Sequence, residues 1–275
     1  MLELPEAYII SGQLRDMIVG KSIQSVVAAA TPHKLAWYNG DPQDYPALLT
    51  GEIITGAQSF GGWIQIDVGN ILLLFSDGVN LRFSQAGGKR ADKHQLLIEF
   101  SDGSALTASV QMYGGILCSR KGQLDNPYYA AARSRPSPLS VGFDQDYFDK
   151  MLNEDAVQKL SMKAFLATEQ RIPGLGNGVL QDILYNAHIH PKKKVRELSE
   201  SERHDLFQSV QGTLFMMAME GGRDTEKDLF GCPGGYQTRL SKHTNGKTCS
   251  RCQGSIRKEN YLGGSIYYCE GCQVL

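Results

Sequence analysis

Four cysteines near the end of the chain have the spacing that most directly implies chemistry. They read Cys249-Ser-Arg-Cys252, then sixteen residues, then Cys269-Glu-Gly-Cys272. Two CxxC pairs so separated suit a structural zinc site, with four thiolates in a tetrahedron around one ion. The alternative is a pair of disulfides. The opening Met1-Leu2-Glu3 lacks the basic region of a secretory signal, which favours metal over oxidation. The spacer, residues 253–268, has the length of a β-hairpin with Gly263-Gly264 at its turn. A closed four-thiolate site leaves no open coordination position, so such a metal folds a small module and does no catalysis.

The surrounding charge suggests what the module meets. Between Arg239 and Lys258 the cations are Arg239, Lys242, Lys247, Arg251, Arg257 and Lys258, with His243 among them and no Asp or Glu. One sign of charge on a finger is an electrostatic footprint for phosphate, although a solvated basic hairpin has the same composition. A second candidate is Ile172-Pro173-Gly174-Leu175-Gly176-Asn177. Gly174 and Gly176 let the backbone approach a ligand, and Asn177 can cap the following helix, whose free N–H groups would suit phosphate. Such a turn also serves as a plain connector between helices. Lys163, one helix earlier, could add a cation.

These residues need scaffolding, and the chain supplies two kinds. Residues 5–19 form an expected helix with Ile10, Leu14 and Met17 on one face, stopped by Gly20. Short apolar runs follow at 25–27, 63–66, 71–75, 95–100 and 105–107, spaced as in a β-sandwich. Residues 126–140 hold three prolines and mark a linker. After it the period becomes helical at 148–152, 157–167 and 177–187. Ser199-Glu200-Ser201-Glu202 is a capping box for a longer helix. The expected division is a sandwich domain at 1–125, a linker at 126–145, a helical domain at 146–235 and the zinc finger at 236–275.

Length and composition bound the function. The 275 residues suffice for two cores and a metal module, and the formal net charge of −1 requires any nucleic-acid affinity to come from local patches. No apolar run is long enough for a membrane span. Cys118 and Cys232, left over after the quartet, fit a reducing cytoplasm.

Taken together, Glu3-Leu4-Pro5-Glu6, Gly174-Leu175-Gly176-Asn177, Ile189-His190-Pro191 and the terminal four-cysteine hairpin closing on Cys272-Gln273 resemble the formamidopyrimidine-DNA glycosylase and endonuclease VIII family. The motifs run in order along essentially the whole chain. The resemblance implies an α+β multidomain fold: an N-terminal β-sandwich with a flanking helix, a helix–two-turn–helix domain and a C-terminal zinc-finger hairpin. It implies a monomer, at the nucleoid of the cytoplasm, that holds double-stranded DNA carrying a damaged base or abasic site in a cleft between its halves. Members excise oxidised bases and cut the backbone. A terminal proline amine attacks the sugar, the adjacent glutamate supplies a proton, and a lysine and an arginine handle phosphate. The base is flipped out and side chains fill the gap.

Carried over residue by residue, the resemblance gives Glu3 a catalytic role and makes Lys163, Gly174, Gly176, Asn177, His94 and Tyr113 DNA-binding residues. Several positions depart from the pattern. Leu2 stands in place of the proline, and its bulk implies that Met1 is kept, so the only terminal amine is that of Met1, displaced by one residue. Gly62 stands where the lysine belongs and Gly264 where the arginine belongs. Val79 occupies the usual methionine position, Met112-Tyr113-Gly114 replaces Arg-Phe-Gly, and Asp182 replaces a glutamate. The groups for holding DNA persist and most of those for breaking bonds do not. The expectation is a damaged-DNA-binding protein that removes oxidised bases with weakened or lost strand cleavage, or a sensor that binds without cutting.

Overall fold

The structure is a computed structural model that describes every residue, Met1–Leu275. The chain divides into two compact units, one of Met1–Arg133 with Gly221–Gly235, the other of Ser134–Glu220 with Tyr236–Leu275.

The first unit begins with helix α1 (Leu4–Ile18), with Glu3 at its N-cap and Pro5 in its first turn, where a missing N–H costs nothing. Its buried stripe of Ala7, Ile10, Leu14 and Ile18 follows helical spacing. Strands β1 (Ile23–Ala28) and β2 (Ala36–Tyr38) precede the short helix α2 (Tyr45–Leu49). Then come β3 (Ile54–Phe60), β4 (Trp63–Val68), β5 (Ile71–Ser84), β6 (Leu96–Phe100), β7 (Ala105–Arg120) and helix α3 (Pro127–Ser134). The strand order is β1-β6-β7-β5-β4-β3, with β2 parallel beside β7.

Strands β5 and β7 run the length of the unit and pair with each other in two registers. Ile71–Asp77 pairs with Gly114–Arg120 and Val79–Ser84 with Ala105–Val110, with a shift between Asp77 and Val79. One half carries β4 and β3, the other β6 and β1, and both feed one apolar cluster. Ile64 and Phe75 enter it from the first half, Leu81, Ile98 and Phe100 from the second, and Ile10, Leu14 and Ile18 from α1. The opposite pleat of β5, Leu72 and Leu74, packs with Trp63, Leu117 and Tyr129. Burial on both faces explains the unbroken apolar run at 71–75. The stretch 126–145, expected as a linker, contains α3, whose Tyr129 and Ala132 are buried against that second cluster. Gly221–Gly235 groups with the sheet unit.

The second unit holds α4 (Gln145–Leu152), α5 (Met162–Ala167), α6 (Val179–Asn186) and α7 (Glu200–Met219). Phe143, Phe148, Phe165 and Phe207 pack ring to ring among them, with centroids as close as 5.8 Å between Phe148 and Phe207. Helix α5 starts at Met162, five residues later than the sequence period suggests, because Ser161 caps it and accepts the Ala164 N–H at 3.3 Å. The capping box at Ser199 and Glu202 opens α7 as expected. Strands β8 (Ile256–Tyr261) and β9 (Gly264–Cys269) form the terminal hairpin. Its turn residues are Leu262 and Gly263, both left-handed at φ 48° and 72°, and Gly264 already pairs with Tyr261. This type of turn matches the twist of the strands it joins.

Candidate active site and metal centre

The N-terminal residues are fixed by burial and by a counterion from distant sequence. Glu3 and Glu6, one helical turn apart, are both buried at the start of α1. Two adjacent buried carboxylates need compensation, and Arg223 provides it. Its guanidinium, 2% exposed, meets Glu6 through two bonds of 2.8 Å and Glu3 through Nη1 at 3.1 Å. Burial alone would lower the Arg223 pKa; the two carboxylates more than reverse this and hold the group charged. Arg223 went unremarked in the sequence. The signal for it was indirect: acids at positions 3 and 6 share one helix face and call for a cation.

The Met1 amine is also engaged. Its ammonium pairs with Glu226 Oε2 at 2.5 Å. Leu2 is buried in the core, and its N–H donates to the Asp77 carbonyl at 2.6 Å.

That carbonyl belongs to the register shift in the long strands. Asp77, paired with Gly114, and Met112, in the unpaired stretch of β7, both have left-handed backbone, with φ of 58° and 63°. Gly78, next along β5, is obligatory: a Cβ would lie 2.1 Å from the Gln111 carbonyl oxygen and 2.4 Å from that of Tyr113. The Asp77 carboxyl accepts from Ser76 Oγ at 3.0 Å, and burial raises its pKa. Tyr113 meets Trp37 in a tilted ring contact with centroids 5.8 Å apart. Burial raises the Tyr113 phenol pKa, and the charges of Asp77 and Glu3 raise it further. Val79 is buried and pairs with Val110, so it is not available to fill a gap in a ligand. The exposed apolar group at this point is Met112, at 70% exposure. Gly62 lies in the β3–β4 turn, across which Phe60 and Trp63 pair. His94 lies apart from this cluster in its contacts. Its Nδ1 is 2.9 Å from the Ala91 carbonyl oxygen, and its backbone pairs with Thr31.

In the second unit, Lys163 and Asn177 converge on the hairpin. Lys163 is buried and donates to the Tyr261 carbonyl, and burial lowers its pKa. Asn177 Nδ2 donates to the Ser265 carbonyl at 2.9 Å, and its buried Oδ1 has no hydrogen-bond partner. A Cβ on Gly264 would lie 3.3 Å from Lys163 Nζ and 3.7 Å from Asn177. The glycine at the expected arginine position therefore leaves room for these side chains. Helix α6 is capped at Gly178 rather than Asn177, whose side chain is committed to the hairpin. Gly174, at φ 78°, donates its N–H to Gln170 Oε1 at 3.2 Å, and the Gly176 carbonyl accepts from Leu180. Asp182 accepts the backbone N–H groups of Arg239 and Leu240, each at 2.8 Å, fastening the segment that leads to the cysteines.

The four cysteines meet as their spacing requires. Their Sγ atoms lie within 4.8 Å of one another, with Cys249 to Cys272 at 3.8 Å and Cys252 to Cys269 at 3.3 Å. A tetrahedron with metal–sulfur bonds of about 2.3 Å has sulfur–sulfur edges near 3.8 Å. Backbone N–H groups of Arg251 and Gly254 point at Cys249 and Cys252 sulfurs at 3.4 Å, as suits thiolates. A Cβ on Gly271 would lie 2.7 Å from Cys252 Sγ, so only glycine closes this cradle. The donor set fits a metal ion. The cations around it are less unopposed than their sequence suggests. Arg257 pairs with Glu270 at 2.8 Å, and Arg251 stacks on Tyr185 and bonds Asn186, whereas Lys242, Lys247 and Lys258 stay exposed.

Known proteins resemble this chain in sequence and fold. Residues 135–228 match the family model described as the formamidopyrimidine-DNA glycosylase H2TH domain. The chain is 28% identical over 280 residues to a formamidopyrimidine-DNA glycosylase of Lactococcus lactis subsp. cremoris, covering 99% of both. It is also 28% identical over 285 residues to the Geobacillus kaustophilus protein of that name, covering 99% of this chain and all of the other. A solved complex of Lactococcus lactis Fpg with abasic-site DNA superposes with a TM-score of 0.84 at 26% identity, covering 99% of this chain and 100% of that one.

Proposed function

We infer, from the premise that this chain is a divergent member of the formamidopyrimidine-DNA glycosylase family, that it binds duplex DNA carrying a damaged base or an abasic site. We further propose that it removes oxidised bases by hydrolysing the N-glycosidic bond, with strand cleavage weakened or lost. The observation that carries this reading is a pair of ion pairs on one segment: Arg223 holds Glu3, while Glu226 holds the Met1 ammonium.

The chemistry follows from those pairs. Backbone cleavage in this family runs through attack of an amine on the sugar, and an ammonium has no lone pair to give. The Met1 amine is engaged by Glu226 rather than free toward a substrate. Gly62 and Gly264 supply no cation for the phosphates that an elimination must stabilise. Glu3, beside Arg223, is the proposed acceptor of a proton from water as it adds to the sugar. Lys163, Asn177 and the turn at Gly174 and Gly176 are the proposed phosphate contacts. Tyr113 with Met112 is the proposed wedge into the stack, and His94 a peripheral contact. One zinc ion, held by Cys249, Cys252, Cys269 and Cys272, keeps the hairpin folded. No helix is long and apolar enough to cross a membrane, and the proposed place of work is the nucleoid, as a monomer.

A second reading, a sensor that binds without cutting, is favoured by the 3% exposure of Glu3. Duplexes bearing an oxidised base separate the two. The hydrolytic reading expects free base, abasic sites revealed by alkali, and no adduct on borohydride treatment. A borohydride-trapped adduct would overturn the loss of amine chemistry; tight binding with no base released would leave the sensor.

A further inference from the structure

We propose that Asp77 is the general acid of this site, giving its proton to the departing base while Glu3 receives one from water. The inference rests on the hydrolytic reading above. The bond changes balance. Water oxygen bonds to the sugar C1′ and its proton passes to Glu3. The C1′–N bond breaks with its electron pair on the base nitrogen, and Asp77 protonates that nitrogen. Solvent then returns a proton to Asp77 and takes one from Glu3.

Three observations converge on Asp77. The first is placement. The Leu2 N–H donates to the Asp77 carbonyl, so the residue before Glu3 is tied to the residue carrying the second carboxyl. The second is strain that fixes the side chain. A non-glycine residue at φ 58° is costly, and such residues persist where the surroundings over-determine them, often at functional sites. Here the neighbours enforce it: Gly78 is pressed against the carbonyls of Gln111 and Tyr113, and β5 pairs with β7 on both sides.

The third is contrast of environment. Glu3 has a guanidinium partner. Asp77 is paired with no cation and is bonded by Ser76 Oγ. Burial raises the pKa of Asp77, favouring the protonated form that an acid needs. A carboxyl beside a guanidinium and a carboxyl with no cation can divide into base and acid. Among titratable groups, Tyr113 has its phenol pKa raised by the Asp77 and Glu3 charges.

The test is Asp77→Asn, because asparagine accepts the left-handed backbone as readily as aspartate. Base release from an oxidised-base duplex is expected to fall at least about 100-fold, the usual scale of general acid catalysis. The alkaline limb of the pH–rate profile, where Asp77 loses its proton, should vanish. Affinity for abasic-site duplex should stay within about twofold of wild type. Asp77→Gly, which removes the carboxyl and relieves the backbone, should lose the same activity. Either folded variant releasing base within about threefold of wild type would overturn the assignment. If the wild-type protein itself releases no base, the hydrolytic reading fails and Asp77 has no such role. That outcome is distinct, because the wild type is then silent.

Discussion

Replacing Arg223 with methionine tests whether a single buried cation organises the N-terminal site. The guanidinium makes two bonds of 2.8 Å to Glu6 and one of 3.1 Å to Glu3, and all three groups are 5% exposed or less. Methionine keeps much of the volume but leaves two carboxylates buried without a counterion. Breaking a buried pair in this way costs about 3–5 kcal/mol. For a unit of this size that is a fall in Tm of roughly 6–20 °C. The double variants carry the argument. With Arg223→Met in place, Glu6→Gln removes the carboxylate that held two of the three bonds and should restore more stability than Glu3→Gln. Urea unfolding of these proteins together with the Glu6→Gln and Glu3→Gln single variants, read as two double-mutant cycles, gives these terms directly. An Arg223→Met protein within about 1 kcal/mol of wild type would refute the reasoning, because the energetic scale in question is several times larger. So would the absence of any recovery on neutralising either acid.

Two further outcomes are expected. His190 is buried against Tyr268, with Lys192 and Glu259 nearby. Its Nδ1 accepts the Lys192 N–H at 3.1 Å, and burial lowers its pKa from 6.5. The unfolded chain therefore binds this proton more readily, and stability present above pH 6.5 is lost as pH falls from there through the native value. His190→Gln should flatten the slope, which for one group is at most about 1.4 kcal/mol per pH unit; unchanged urea midpoints between pH 7.5 and 5.5 in the wild type would count against it. Metal analysis should give one zinc per chain, and Cys252→Ser should abolish both zinc and duplex binding; a metal-free wild type with a folded hairpin would remove the metal centre.

The residues that could be read from sequence are those whose spacing is local. The four cysteines and the Ser199 capping box are set by a few covalent steps and appear as expected, while the α1 stripe keeps Ile10 and Leu14 but buries Ile18 fully and Met17 only in part. The partners of Glu3 were not legible, because Arg223 lies over two hundred residues away and no period points to it. The bulge at Asp77 was hidden for a different reason. Its strain comes from the register of β7 against β5, a property of pairing rather than of either strand alone. Asn177 reads as a helix cap and instead holds the hairpin, since a short polar side chain bonds whichever backbone group folding brings to it. The cations of the finger look unopposed along the chain, yet Arg257 and Arg251 find partners at Glu270 and on α6.

The central claim is that this protein singles out lesion-bearing duplex. Its most direct test is equilibrium binding of the zinc-loaded protein to matched oligonucleotides, one with an abasic site and one intact, at low ionic strength. Tighter binding to the abasic duplex by tenfold or more, about 1.4 kcal/mol, is the expected result. Equal affinity for the two would contradict the account.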